Sequence, residues 1–225
     1  MAAVLRPSRQ LNHLRWPEFA HMNSYWDPVQ NVEVVRILAG EYYATHRHEM
    51  ITTVLGSCVS VCVRDRAANI GGMNHFMLPV EREGRDNTGS HGLSADAAYG
   101  GYAMERLVNC ILKYGGGRRE QLEIKIFGGG RIMNGMADIG LQNITFIRSY
   151  LRTEGLSMVA EDVGGDCPRR MAYFPATGKV LVKKLRNVRN ETIIQQENAY
   201  LADLRRAATQ GGDVELFGEP SHGRR

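Results

Sequence analysis

The segment around Cys58 carries residue types that could perform covalent chemistry. A strand-like run over residues 50–54 is interrupted at Leu55, Gly56 and Ser57, and Cys58 follows at once. A cysteine at such a kink projects past its sheet, and nearby backbone N–H groups could stabilise a developing oxyanion. By itself this pattern is weak, because a cysteine inside a protein is most often an inert core residue.

A second segment places a histidine where it could assist that cysteine. His75 follows Gly71 and Gly72, which let backbones approach closely, in an otherwise apolar strand. One strand and one short turn separate this segment from Cys58, so an antiparallel pair could bring the two side chains together. Imidazole beside a thiol favours the thiolate, the form that attacks a carbonyl carbon. A structural histidine is the competing interpretation of the same pattern.

Other sites that the sequence offers lack a required partner. The glycine spacing after residue 130 is that of a phosphate-binding P-loop, but Met136 and Ala137 stand where lysine and serine or threonine are required. His46 and His48 could share one side of a strand, yet no cysteine or carboxylate accompanies them at the spacing of a zinc site. We therefore expect that the protein needs neither a metal nor an organic cofactor.

Composition limits the classes of protein that the chain could represent. Of its 225 residues, 43% are hydrophobic and 23% charged, which is ordinary for a soluble globular protein. The net charge of +4 is scattered along the chain, so nucleic-acid binding is not expected. Without an export signal or a membrane-length apolar run, we expect a cytoplasmic protein with reduced cysteines and no membrane insertion. Of these cysteines, Cys62 and Cys110 are expected in the core and Cys167 in a loop.

The elements that must position Cys58 and His75 are mostly strands. Alternating apolar and polar residues predict strands, and apolar residues at helical spacing predict helices. We expect strands at 32–39, 50–54, 59–64, 70–78, 122–126, 156–163, 171–174 and 179–185, and helices at 94–114, 139–154 and 190–207. This order predicts an α+β fold, with sheets packed face to face and helices outside.

Three regions follow from the same pattern. Residues 1–30 carry three prolines, both tryptophans and no periodicity, which predicts an N-terminal extension. Residues 31–190 form the predicted catalytic domain, and residues 191–225 a C-terminal helix with a flexible Gly-rich tail. The polar loop 81–93 and the glycines at 128–130 are candidate walls of a substrate site.

Two of these motifs together resemble those of a known family. LGSCVSVCVRD, which contains Cys58, and IGGMNHFMLP, which contains His75, are similar to the paired motifs of the CheD chemoreceptor glutamine deamidases. Further along, IKIFGGGRIM, IGLQNI, DVGGD and TGKVLVKKL follow in that family's order. The resemblance covers residues 32–186.

The resemblance implies roles, a fold and partners. It implies Cys58 as the nucleophile, His75 as its general base and Thr52 as the residue that orients the imidazole. It also implies a central β-sandwich of mixed sheets flanked by helices, similar to glutamine-deamidating bacterial toxins. The substrates would be glutamines on the cytoplasmic helical region of chemoreceptors, and the CheC phosphatase would be a partner.

We therefore expect an amidohydrolase of bacterial chemotaxis that deamidates protein glutamine through a thioester on Cys58. A transglutaminase or peptidase that uses the same pair is one alternative. A non-catalytic adaptor that binds chemoreceptors or the phosphatase is another. The presence of Cys58, His75 and Thr52 argues against the adaptor, because a pure binding module needs neither a thiol nor a base.

Overall fold

Over the residues that the structure describes, the fold consists of two five-stranded sheets and three α-helices. A computed structural model describes residues 15–79, 95–132, 138–186 and 191–209. The elements are β1 (Ser24–Asp27), β2 (Val32–Arg36), β3 (Tyr42–Thr45), β4 (Glu49–Leu55), β5 (Val59–Asp65), β6 (Ile70–Asn74), α1 (Ala95–Gly115), β7 (Leu122–Gly128), α2 (Ile139–Thr153), β8 (Met158–Val163), β9 (Arg169–Phe174), β10 (Lys179–Lys184) and α3 (Glu191–Thr209).

Both sheets are mixed. The first has the order β1-β2-β4-β9-β10, in which β2 and β4 are parallel and the other pairs antiparallel. The second has the order β3-β6-β5-β7-β8, in which β7 and β8 are the parallel pair. This arrangement confirms the predicted α+β class and its mixed sheets.

A single large core joins the two sheets. In β4, residues Ile51, Thr53 and Leu55 are buried while Thr52 and Val54 are half-buried, as the alternation of side chains along a strand requires. Buried residues of β4 and β5 belong to the same apolar cluster, and α1 packs against the second sheet at β3, β5 and β6. The strands that carry the candidate chemistry therefore lie at the centre of the molecule.

Part of the predicted N-terminal extension contributes to this core. Phe19 is 2% exposed, and Trp16 stacks on Tyr114 of α1 with ring centroids 3.8 Å apart. Arg15 forms ion pairs with Glu33 and Glu49 of the first sheet. The short strands β1 and β3 were not predicted from the sequence.

Some predicted features fall outside the described residues. These are the first 14 residues, the polar loop at 81–93 and the Gly-rich tail after residue 209. None of the helices in the described ranges combines the length and hydropathy that a bilayer crossing requires.

Candidate active site

The candidate nucleophile lies where the chain passes from one sheet to the other. Residues 56–58, which we call the nucleophile loop, connect β4 of the first sheet to β5 of the second. Cys58 is fully buried, with 0% exposure. After the loop, Val59 pairs with Phe76, the residue that follows His75, through two backbone hydrogen bonds. This pairing brings the two sequence motifs together, as predicted.

Three hydrogen bonds fix the carbonyl groups of the nucleophile loop. The carbonyl oxygens of residues 56 and 58 accept from the N–H groups of Gly130 and Gly129, both at 2.7 Å. The carbonyl oxygen of residue 57 accepts from the side-chain amide of Asn143 at 2.9 Å. A side chain at residue 130 would crowd this contact, because its Cβ would lie 2.9 Å from the carbonyl oxygen of Gly56.

The N–H groups of the same loop converge on one anion. Glu197 of α3 accepts hydrogen bonds from the N–H groups of Gly56 at 2.9 Å and Cys58 at 3.1 Å through Oε1. Its Oε2 accepts from Ser57 N–H at 2.8 Å and from the Ser57 hydroxyl at 2.6 Å. Successive N–H groups that point to one spot form an anion-binding concavity. The loop therefore has the donor arrangement that an oxyanion requires.

His75 is fixed by its backbone and by one ring nitrogen. Its N–H donates to the carbonyl of Glu41 at 2.9 Å, and its carbonyl accepts from Gly40 N–H at 2.8 Å. The ring Nδ1 lies 2.8 Å from the hydroxyl oxygen of Thr53, and that hydroxyl donates its proton to the carbonyl of Ile37 at 2.9 Å.

These contacts determine the tautomer of the imidazole. A threonine hydroxyl has a single proton, so Thr53 can only accept from His75 once it donates to Ile37. The proton of neutral His75 then resides on Nδ1, and Nε2 carries the free lone pair. The buried Nε2 has no hydrogen-bond partner among the described residues. It is therefore available as a base.

Thr52 does not meet His75 in the structure. Neighbouring side chains of a strand point to opposite faces, so when Thr53 faces the core, Thr52 faces away from it. The Thr52 hydroxyl donates instead to the carbonyl of Met171 in β9 at 2.6 Å. The position that the family resemblance gave to Thr52 beside the imidazole is taken by Thr53, one residue later.

Burial keeps the cysteine and the histidine neutral, and at the cysteine a carboxylate acts in the same direction. Desolvation raises the pKa of the Cys58 thiol well above its usual value, and the charge of Glu197 raises it further. Desolvation also lowers the pKa of His75 to about 4, against a smaller opposite effect of Glu197. The expected thiolate is thus disfavoured here, because the Cys58 thiol is fully buried and a buried carboxylate lies beside it.

The arrangement of Cys58, His75 and Glu197 also has the composition of a metal site. A ligand atom of each lies within 4.8 Å of those of the other two. However, the Glu197 carboxylate already accepts four hydrogen bonds from the nucleophile loop, which matches its capacity of about four lone-pair sites. The nucleophile loop therefore suits Glu197 as a hydrogen-bonded anion better than as the ligand of a metal ion.

The other cysteines lie in different surroundings. Cys62 belongs to the core cluster, and burial raises its pKa strongly, mostly by desolvation. Burial likewise raises the pKa of Cys110 to about 12. Cys167, predicted in a loop, precedes β9 and is also buried. The core positions predicted for Cys62 and Cys110 are confirmed.

Glu197 was not predicted from the sequence. It lies 139 residues after Cys58 on a helix whose pattern shows only an amphipathic surface element. Between α3 and the β2–β3 connection the structure leaves a cavity of about 340 Å³, lined in part by Leu38, Thr53, His75 and Glu197. The site is therefore assembled from both sheets and closed by the C-terminal helix.

Comparisons with known proteins point to one family. Residues 77–184 match the family described as CheD chemotactic sensory transduction. A protein of Halorhodospira halophila is 48% identical over 201 residues, which cover 89% of this chain and 92% of that protein. Relatives from Hahella chejuensis and Methylobacillus flagellatus are 46% and 49% identical, over 91% and 87% of this chain and 94% and 95% of their own. All three are named probable chemoreceptor glutamine deamidase CheD.

Proposed function

Because the chain belongs to the CheD family, we propose that it is a chemoreceptor glutamine deamidase, which hydrolyses glutamine side chains to glutamate and ammonia. The observation that carries the proposal is the convergence of three loop N–H groups on a carboxylate beside Cys58 and His75. A carboxylate is the group that deamidation leaves on the product. The site thus already holds a carboxylate, which is the group that the reaction would produce.

The first step is attack on the side-chain amide. His75 Nε2 takes the proton of the Cys58 thiol, and the thiolate adds to the amide carbon of the glutamine. The amide oxygen becomes an oxyanion, for which the N–H groups of residues 56–58 are the donors. The carbonyl groups of this loop are tied back, so its N–H groups are oriented before substrate binds.

The second step releases ammonia, and the third restores the enzyme. The C–N bond of the tetrahedral intermediate breaks, and the proton on His75 Nε2 leaves with the amine as NH3. A thioester on Cys58 remains. Water, deprotonated by the same nitrogen, attacks this thioester; the C–S bond breaks and the thiolate regains its proton. Glutamate is the product, and no redox change occurs.

We propose Thr53 as the positioning residue of the imidazole. Its contact with Nδ1 keeps the lone pair of His75 on Nε2, and its contact with Ile37 fixes the rotation of the hydroxyl. Thr52, the residue that the resemblance suggested for this role, would act only indirectly through β9.

The partners of the reaction belong to the proposal as well. We propose the cytoplasmic helical region of chemoreceptors as substrate and the CheC phosphatase as a binding partner. A fold likeness to glutamine-deamidating toxins is consistent with the two mixed sheets of the chain. A transglutaminase would differ in a single outcome, the incorporation of an amine in place of water.

Substitution of the nucleophile tests the proposed function. Cys58→Ala should reduce ammonia release from a receptor cytoplasmic fragment at least about a thousandfold, since loss of a nucleophile removes the covalent route. Intact-mass spectrometry of the fragment checks that each ammonia lost corresponds to one glutamate formed. Cys62→Ala, a buried cysteine of β5 outside the proposed site, is the matched control and should retain turnover.

Two outcomes would contradict the proposal. Activity in Cys58→Ala near that of the wild type would remove Cys58 from the reaction. Equal rates on the receptor fragment and on free glutamine would point to a small-molecule amidase, because a protein substrate gains binding energy from groups remote from the reacting amide.

A further inference from the structure

Helix α3 occupies the place where a substrate would have to lie. Its Glu197 contributes the carboxylate that fills the concavity of the nucleophile loop. With the helix in place, Cys58 is 0% and His75 5% exposed. A glutamine on another protein therefore cannot reach the thiol unless α3 moves.

The chemistry of the contact is that of the reaction product. Deamidation leaves a glutamate, and in a helical receptor this glutamate projects from an α-helix. Glu197 is a glutamate that projects from an α-helix, and its two oxygens use all three N–H groups proposed for the oxyanion. It stands in for the carboxylate of a deamidated receptor residue.

The attachment of α3 is narrow enough to be reversible. Its buried side chains in the described part are Glu197, Leu201 and Leu204, which recur at helical spacing as a single stripe. Beside them Tyr200 is half-buried and shares a hydrogen bond with the hydroxyl of Tyr99 in α1. Glu197 and the hydrogen bond between Tyr200 and Tyr99 thus provide polar contacts beside a narrow apolar stripe.

We propose that α3 is an internal product mimic that inhibits the enzyme, and that the helix must leave the site before a receptor glutamine can bind. The inference rests on the proposed function and adds regulation of the same site. The apparent rate of turnover is then proportional to the fraction of molecules whose helix is displaced. Any partner that binds α3 in the displaced position activates the enzyme.

The proposal makes residue 197 a potential substrate. In Glu197→Gln, the side-chain amide would lie in the concavity beside Cys58. The thiolate would add to its carbon, the C–N bond would break with release of NH3, and water would hydrolyse the thioester. The product is glutamate at position 197, so the variant would convert itself to the wild-type sequence.

The first experiment measures access to Cys58 without any substrate. Full-length wild type, Glu197→Ala and the control Glu191→Gln are treated with limiting iodoacetamide, and labelled Cys58 is quantified by peptide mass spectrometry. Glu191 lies at the exposed start of the same helix. We expect Cys58 to be labelled at least about tenfold faster in Glu197→Ala, which is the change in thiolate fraction that one pKa unit brings. Glu191→Gln should match the wild type.

The second experiment measures turnover on a receptor cytoplasmic fragment with the same proteins. Glu197→Ala should deamidate it faster than the wild type. Glu197→Gln should gain the mass that accompanies replacement of an amide by a carboxyl group, and the Cys58→Ala, Glu197→Gln double variant should not. If Glu197→Ala does not fold, Glu197→Gln, which preserves the length of the side chain, decides the question.

The outcomes separate this inference from the proposed function. Faster labelling in Glu197→Ala, with no deamidation by the wild type or any variant, would contradict the proposed function. The proposed block of the site by α3 would still hold. Unchanged labelling, or slower turnover in Glu197→Ala, would overturn the inference while the deamidase function stood. Glutamine that persists at position 197 in a variant active on the receptor would likewise overturn it.

Discussion

The proton of the Thr53 hydroxyl decides which nitrogen of His75 can act as a base. The hydroxyl donates to the carbonyl of Ile37, so its oxygen must accept from Nδ1. A carboxylate in this position would also stabilise the imidazolium, but a neutral hydroxyl contributes mainly orientation. The site therefore depends on the geometry of β4 more than on charge to keep the lone pair of His75 on Nε2.

Substitution of the two adjacent threonines tests this assignment. Thr53→Val keeps the shape of the side chain but removes the acceptor of Nδ1–H, so kcat should fall between about tenfold and a hundredfold, the range for partners that orient a metal-bound histidine. Thr52→Val loses only the hydrogen bond to Met171. It should keep kcat close to that of the wild type with a small loss of stability.

A pH profile distinguishes positioning from simple loss of packing. If Thr53 only filled space, Thr53→Val would lower the amount of folded enzyme without moving the pH at which turnover is half-maximal. A kcat loss in Thr52→Val as large as that in Thr53→Val would contradict the geometry of β4, in which Thr53 and not Thr52 contacts His75.

At the residue scale the sequence predicted the contact between two neighbouring motifs and missed the contacts between distant parts of the chain. Cys58 and His75 could be paired because a single strand and turn separate them. Thr52 and Thr53 differ only in the face of β4 that they occupy, which a motif with threonine at both positions does not specify. Glu197 could not be predicted, since no local pattern connects a glutamate on a distant helix to the nucleophile loop.

At the scale of elements, the nucleophile loop is shaped by α2 and by the segment after β7. Asn143 of α2 donates to the carbonyl of Ser57 and accepts from the N–H of Leu78, both at 2.9 Å. One buried side chain thus satisfies a backbone group on each side of the site. Its loss would free the loop to rotate and would misdirect the N–H groups.

Replacement of Asn143 should therefore affect both stability and turnover. Asn143→Ala leaves two buried backbone groups without partners, which should lower the free energy of unfolding by roughly 2–6 kcal/mol, and kcat should fall with it. Gln142→Ala, on the exposed face of the same helix turn, is the control and should change neither. Urea unfolding and steady-state turnover give the two values. Full kcat in a destabilised Asn143→Ala would show that the loop keeps its shape without this side chain.

Two glycines with similar positive φ angles distinguish the effect of a contact with the nucleophile loop from the effect of backbone strain. Gly128 has φ +105°, and a Cβ there would overlap the carbonyl oxygen of Cys58. Gly116 has a similar φ of +95°, with no atom within 4 Å of a Cβ. Alanine at either position is strained by about 1–2 kcal/mol, but only Gly128→Ala should also displace the nucleophile loop.

Turnover per folded molecule distinguishes the two alanine variants. We expect Gly116→Ala to keep the kcat of the wild type and Gly128→Ala to lose at least about tenfold, since displacement of a reacting group by 1 Å can cost about a hundredfold. Equal kcat values in the two variants would mean that the loop adapts to the added methyl group.

The elements themselves were predicted where their periodic pattern was long. The strands β4, β5 and β7 and all three helices lie close to their expected positions. The strands β1 and β3 have four residues each, too few for an alternation to be recognised between the prolines and polar residues around them. Their pairing depends on the rest of the sheets, and so does the inclusion of Phe19 in the core.

On the scale of the whole molecule, the reacting groups lie inside the core shared by the two sheets. A buried ionic cluster at the other end of β4 joins Arg15, Glu33, Arg47 and Glu49. These charges are paired, whereas the imidazole of His75 is buried without an anionic hydrogen-bond partner. Protonation of that ring must therefore oppose folding.

The pH dependence of stability should reveal this burial. The pKa of His75 is about 4 in the folded chain against 6.5 when exposed. Above pH 6.5 the ring is neutral in both states, and the stability is fully present. As the pH falls from 6.5 to about 4, the unfolded chain binds a proton that the folded chain does not, so the free energy of unfolding decreases. The lost stability should be on the order of 3 kcal/mol, at about 1.4 kcal/mol per pKa unit.

Comparison with His75→Gln isolates this contribution, because the ionic cluster around Glu49 and the carboxylate of Glu197 are present in both proteins. Urea unfolding at a series of pH values between 7 and 4 should show the wild type losing stability more steeply than His75→Gln. The control His48→Gln, at an exposed histidine, should follow the wild type. Parallel curves for the wild type and His75→Gln would mean that the imidazole binds its proton in the folded chain. The site would then be open to water, and α3 could not be covering it.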